Sequence, residues 1–403
     1  MDEMIKNEVQ PSASDVLEQR VALHCSLIGA GNAGNQLLNA AYPTDIEVFA
    51  LNTSADDLNR NLVSDSIKSF IIGNEGRGAG KNRDTAKELF KYNGQELLTQ
   101  VPAFTSMIER SDVVFVAGST AGGTGSMICP ILIKFMKQFY PGKIIIYIGI
   151  TPRKSAAYQE QKNSHDCLQD VINLEVPYIL ADLDYYKDVP NDVAYTNIQN
   201  YILDCINIIR GKYLNKSPYG IIDENDMRTV ISEPGYMSIY HLNNVSQAQL
   251  DKESMQAMMI KLIKHSPAVD IMRDGIVRQM AAIVNVPEDM TDSSRASNYD
   301  ELQSYIGKPL AVFENYAVLP MAPHGQMIII LSGQTMPYTR LSQMAQVVKE
   351  QNEKYAKQKK FDINSLLADT VDVQKGVPSF LKTPQNDNKT ADKKAVNDFF
   401  SDL

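Results

Sequence analysis

The sequence predicts an α/β protein: a first domain built on a parallel sheet, a long central helix, a second α/β domain, a C-terminal helix and a disordered tail. Three observations predict it. Between Val21 and Pro190, strand-like apolar runs at 21–28, 46–51, 68–72, 112–117, 143–150 and 176–181 alternate with helical patterns, the order that builds βαβ units with ligand loops at the strands' carboxyl ends. Glycine-rich loops follow several of these runs. A helical pattern from about Val193 to Tyr213 places Tyr195, Ile198, Ile202, Cys205, Ile206, Ile209 and Tyr213 at helical spacing with few flanking breakers, as a helix joining two domains would.

Taken in order, the elements give an N-terminal extension at 1–20, the first domain at 21–192, the central helix at 193–220, a second domain at 221–337, a C-terminal helix at 338–360 and a flexible tail at 361–403. The second domain reads as helical near 246–263, with strand-like runs at 279–285, 311–319 and 326–332 and a polar surface loop from Glu288 to Ser294. The C-terminal helix is amphipathic, with Leu341, Met344, Ala345, Val348 and Tyr355 on one face. Lys, Asn, Asp and Thr dominate beyond about Gln358, a composition that does not build a core.

Composition narrows the function classes. At 403 residues the chain exceeds the usual single core. A net charge of −9 argues against a protein that itself coats nucleic acid, so any DNA contact is expected to be indirect. No apolar run approaches the roughly 18 residues that span a bilayer, so direct membrane insertion is not expected. Residues 1–20 carry acids and lack the apolar core of a signal peptide. Cys25, Cys129, Cys167 and Cys205 are widely spaced in apolar or helical patterns, which suits burial in a reducing cytoplasm better than disulfides; no metal-ligand set is read.

The loops carry the chemistry. Ala117-Gly118-Ser119-Thr120-Ala121-Gly122-Gly123-Thr124-Gly125-Ser126 follows the apolar run Val113–Val116 and precedes a helical pattern. Small residues there let backbone N–H groups approach an anion, the helix start adds a favourable dipole, and Ser119, Thr120, Thr124 and Ser126 add hydroxyls. No Gly-Lys-Ser/Thr ending is present, so this is not a Walker loop. Upstream, Gly29-Ala30-Gly31-Asn32-Ala33-Gly34-Asn35-Gln36 is a GxGxxG string, which admits an NAD-dependent Rossmann oxidoreductase. That fold wants an acid at the end of the next strand; here the strand ends in Asn52-Thr53 and Glu47 stands at its start. A third loop, Gly73 to Asp84, combines Gly76, Gly78 and Gly80 with Arg77, Lys81 and Arg83. Three such loops after candidate strands suit a nucleoside triphosphate better than any one alone.

These motifs resemble the tubulin/FtsZ superfamily. Ala121–Ser126 is similar to its signature, (Ser/Ala/Gly)-Gly-Gly-Thr-Gly-(Ser/Ala)-Gly, with Met127 where the last glycine is expected. Gly31–Gln36 resembles the first nucleotide loop of tubulins, Asn52-Thr53 the Asn-Thr that ends the second strand of FtsZ, and Gly76-Arg77-Gly78-Ala79-Gly80 its γ-phosphate loop. The resemblance implies a tubulin-type, Rossmann-like GTP-binding domain with GTP, GDP and Mg²⁺ as ligands. It implies that Tyr195 stacks on guanine, that Gln199 and Asn200 read the base edge, and that Asn32, Asn35, Thr151 and Glu160 belong to the pocket. Gly220 to Val230 resembles the synergy loop, whose two acids match Asp223 and Asp226; Ile221 replaces an asparagine. Read from the residues alone, the same pair caps a helix. In the family those acids complete the GTP site of the next subunit, so hydrolysis accompanies head-to-tail polymerisation. A contact of that kind that does not close makes a filament.

Loose matching outside the motifs resembles divergent bacterial, plasmid or phage tubulins of the TubZ and PhuZ type, which implies segregation or positioning of plasmid or phage DNA. Val377-Pro378-Ser379-Phe380-Leu381-Lys382 resembles the FtsZ carboxy-terminal peptide, which implies an adaptor bound by the tail and keeps a cell-division filament as an alternative. A scaffold that binds nucleotide without turnover is the further alternative suggested by Met127 and Ile221. Phe399-Phe400, flanked by Asp398 and Asp402, reads as a second docking motif, expected on a neighbouring subunit.

Overall fold

The computed structural model describes residues 23–62, 64, 66–217, 221–269, 275–290, 299–366 and 398–403. The expected N-terminal extension, Gly220, much of the tail and the Val377–Lys382 motif lie outside the described residues. The first half alternates strand and helix: β1 (Cys25–Ala30), α1 (Gly31–Ala41), β2 (Glu47–Asn52), α2 (Ala55–Asn61), β3 (Lys68–Ile71), α3 (Arg83–Gln100), α4 (Pro102–Arg110), β4 (Val113–Ser119), α5 (Thr124–Phe139), β5 (Ile144–Thr151), α6 (Tyr158–Asn173) and β6 (Pro177–Asp182). The central helix α7 (Asn191–Ile209) follows, then α8 (Glu224–Ser232), β7 (Gly235–Val245), α9 (Gln247–Leu250), α10 (Met255–Lys264), β8 (Gln279–Val286), α11 (Asp300–Ile306), β9 (Ala311–Val318), β10 (Gly325–Gln334) and α12 (Tyr338–Leu366).

The described strands form one sheet in the order β3-β2-β1-β4-β5-β6-β7-β10-β8-β9. It is parallel from β3 to β7, and β10 runs antiparallel to both β7 and β8. The two halves join narrowly, through Pro177 beside Gly235 and Tyr178 beside Tyr236. Strand alternation sends neighbouring residues to opposite faces. Leu27 and Phe115 enter one cluster while Ile28, Val114 and Val116 enter another. The first cluster runs the length of the sheet: Ile198, Ile202, Ile206 and Ile209 of α7 share it with Ile283 of β8 and Ile328 and Ile330 of β10. The central helix is thus the common packing partner of both halves. On the opposite face, one cluster lies under α3 to α6 and another gathers α10 and α11.

The four cysteines are buried and unpaired. Burial pushes the Cys25 thiol up to about 12, with Arg210 pulling weakly the other way. Among the described residues, no helix is long and apolar enough to cross a membrane.

Candidate functional site

A cleft of about 660 Å³ opens at the carboxyl ends of β1, β2, β4 and β5, within the usual range for a small-molecule site. Its floor is made by two helix starts. Neither α1 nor α5 has an acidic residue in its first turn or a side-chain cap, so their leading N–H groups are left for a ligand. Such ends attract anions through the unpaired N–H groups and the dipole. Gly31, Asn32 and Ala33 line the cleft from α1, and Ser119, Ala121, Gly122, Gly123, Thr124 and Gly125 from the β4–α5 turn. Gly31 has φ +72°, and a Cβ on it would come within 3.1 Å of the Gly125 nitrogen. Glycine is what lets the two turns touch.

The third loop closes one side. Gly78, Ala79, Gly80, Arg77 and Lys81 line the cleft, as does Asn52 from the end of β2. Asn163 holds two loops together: its amide donates to the Lys81 carbonyl at 2.8 Å and to the Ala121 carbonyl at 2.9 Å. Thr53 and Thr124 hydroxyls meet at 2.7 Å, tying β2 to the start of α5. Lys81 donates to Glu160 at 3.0 Å across the cleft mouth, and Glu160 also accepts from the Ala157 amide. Tyr195, half-buried on the first turns of α7, forms the wall opposite the phosphate loops; burial raises its phenol above the ordinary value.

Other named residues sit one layer back. Asn35 is fully buried, donates to the Gly29 carbonyl at 2.8 Å and accepts from Asn52 at 2.8 Å, so it positions Asn52. Gly34 faces β4, where a Cβ would strike the Ala117 carbonyl at 2.6 Å. Ser126 bonds back to the Gly122 and Gly123 carbonyls. Thr151 donates to Asp182 at 2.9 Å beneath the cleft, where Arg340 of α12 approaches the same carboxylate at 3.3 Å. Burial raises Asp182 against the opposing pull of Arg340. Gln199 and Asn200 lie on later turns of α7, outside the cleft lining, whereas Asn191 at the start of that helix is in it. Asn163, Asn191, Arg153 and Ser155 were not signalled by any motif.

Asp223 and Asp226 lie elsewhere. They form a reciprocal capping box at the start of α8: the Asp226 amide donates to Asp223 at 2.9 Å and the Asp223 amide to Asp226 at 3.1 Å. Arg228, on the same turn, donates to Asp112 at 2.7 Å. Asp112 immediately precedes β4, while Ser119 at the other end of β4 lines the cleft. A seven-residue strand spans about 23 Å, so the acid pair and the cleft occupy opposite poles of the sheet. Glu47 stands at the start of β2, not at the end where a dinucleotide site needs its acid, and is held there by Arg110.

A parallel sheet with paired helix starts, three glycine loops and an aromatic wall on the central helix makes a cleft suited to an anionic ligand. Residues 24–182 match the family described as Tubulin/FtsZ family, GTPase domain. It is 26% identical over 231 residues to a tubulin-like protein CetZ of Methanothrix thermoacetophila, covering 52% of this chain and 61% of that protein. It is 23% identical over 391 residues to the tubulin-like protein TubZ of Clostridium botulinum C phage, covering 93% of this chain and 96% of the relative. Among solved structures, a GTPγS-form protofilament of Bacillus thuringiensis serovar israelensis TubZ superposes with a TM-score of 0.66 at 14% identity, covering 85% of this chain and 96% of that one.

Proposed function

We propose that this chain binds GTP in the cleft, assembles head to tail into filaments, and hydrolyses GTP to GDP at each subunit junction with acids supplied by the next subunit. The observation that carries the reading is the placement of Asp223 and Asp226 at the pole opposite the cleft. Within one chain they cannot meet the nucleotide; a second copy stacked in the same orientation brings them to it. The phosphates rest on the N–H groups of α1 and α5, with Lys81 and Arg77 facing the terminal phosphate. Tyr195 stacks on the base. Bound with the nucleotide, Mg²⁺ would neutralise phosphate charge. Asp226, with Asp223, holds and orients the attacking water. We infer further that the filament segregates or positions plasmid or phage DNA, reached through an adaptor on the tail; what favours that setting is the near full-length alignment with a tubulin-like protein of a phage.

The capping box complicates the obvious test, because Asp226→Ala removes the acceptor for the Asp223 amide along with the carboxylate. Asp226→Asn keeps an acceptor for the Asp223 amide. It is expected to bind GTP as the parent does, to pellet with GTP, and to lose phosphate release by about 100-fold or more. Wild-type turnover per chain is expected to rise with protein concentration. Turnover independent of concentration, or an Asn variant that hydrolyses normally, defeats the shared-site reading.

A further inference from the structure

The last residues of the chain are seated on its own first domain. Residues 398–401 form a helical turn, and Phe399 is 3% exposed. Its ring packs edge-on to Phe135 at 5.7 Å and Phe139 at 6.3 Å, both on α5. Phe400 stacks on Phe90 of α3 at 5.8 Å and 13° between planes. The Lys134 ammonium lies 5.4 Å from the Phe399 ring centre, and Leu403 packs against the same cluster. Asp398 and Asp402 remain exposed. The two phenylalanines therefore bridge two helices, and those helices have something in common. α3 begins directly after the Gly78–Gly80 loop and α5 begins inside the Ala121–Gly125 loop.

We propose that the groove between α3 and α5 is the receptor for this chain's own segment Asp398–Leu403, and that seating the segment straps together the two helices that present the phosphate loops. Fixing the spacing of those helices fixes the spacing of the two glycine loops that lead into them. Tail seating and nucleotide binding then favour each other, reciprocally. The coupling half of this proposal rests on the nucleotide reading above; the receptor half stands on the ring contacts alone.

The test uses the full-length chain, its Phe399→Ala/Phe400→Ala variant and a chain ending at Val396, with amide hydrogen exchange read along α3 and α5 at two protein concentrations without nucleotide. Exchange in both helices is expected to quicken by about tenfold in either variant, while α10 in the other half stays unchanged. A synthetic Asp398–Leu403 peptide at about millimolar concentration, the range a tether supplies, is expected to restore protection. Affinity for GTP and GDP, measured below the assembly concentration, is expected to fall by about fivefold. Unchanged exchange in both variants overturns the receptor. Protection in the wild type that grows with protein concentration also overturns it, because the segment is then seated on a second copy. Quickened exchange with unaltered nucleotide affinity overturns the coupling. A wild type that binds neither nucleotide counts against the proposed function, and the exchange and peptide arms still decide the receptor.

Discussion

Tyr195 belongs at once to the core and to the wall of the cleft. Its ring is half-buried on the face of α7 that continues into Ile198 and Ile202, and its outer side walls the cleft. Tyr195→Ala is expected to weaken nucleotide binding by about tenfold, consistent with the 1–3 kcal/mol typical of base–aromatic stacking, whereas Tyr195→Phe retains affinity because the π-face is kept. Equilibrium titration with a fluorescent guanine nucleotide checks both; equal losses in the two variants would mean the hydroxyl, not the ring, matters. At this scale the sequence was most readable in the glycine loops, because close backbone approach admits few residue types. Asn163 was invisible: a helix-interior asparagine has no motif, and its role of tying the Lys81 and Ala121 carbonyls exists only once α6 lies across both loops. Asn35 and Ser126 stand in the glycine loops, yet their side chains turn inward to hold those loops and do not line the cleft.

Among elements, α8 joins a buried apolar face to a polar anchor at Arg228. Arg228 reaches from α8 to Asp112 at the start of β4 and also to Glu224 on its own turn. Partial burial resists ionisation of Asp112, but Arg228 and the His24 amide outweigh it and hold the carboxyl below its ordinary value. A depressed acid contributes stability that is fully present above the unfolded value, about 3.9, and is lost as pH falls through the folded one. Asp112→Asn is expected to cost about 1 kcal/mol at pH 7, with parent and variant converging below about pH 4 in denaturant titrations. Because the anchor is at the acid pole, the variant should lose turnover without losing nucleotide affinity. A stability difference that does not shrink as pH falls below about 3.9 would contradict the charge argument.

Element boundaries followed the same logic of legibility. Six strand-like runs of the first half fall on β1 to β6, where clean apolar runs end in glycine or polar turns. β7 was not anticipated: Tyr236 to Tyr240 is buried on both faces, so the period-two signal is absent, and Asn243-Asn244 reads as a turn although the strand continues through it. The central helix stops at Ile209 rather than continuing towards 220, and Gly211 follows with φ +80°. The Asp223/Asp226 pair was legible as both a cap and an acid pair, and the structure contains the cap. The two residues alone do not place the pair at the pole away from the glycine loops; the resemblance implies that placement, and the structure shows it through the Arg228–Asp112 contact.

For the molecule as a whole, the separation of cleft and acids makes complementation the decisive experiment. Gly122 lines the cleft and has no heavy atom within 4 Å of where a Cβ would stand. Gly122→Asp therefore places a carboxylate in the phosphate cradle without a clash, and like-charge repulsion is expected to lower nucleotide affinity by about 100-fold. That chain keeps intact acids at its other pole. The Asp226→Asn chain has the reverse defect: an intact cleft and no acid to offer its neighbour. Each alone should be nearly inactive. Mixed in equal amounts, random head-to-tail stacking gives about a quarter of junctions an intact cleft facing intact acids, so turnover should appear that neither variant shows, in the fraction that pellets. A site completed within one chain predicts no recovery at any mixing ratio, even where mixed filaments form.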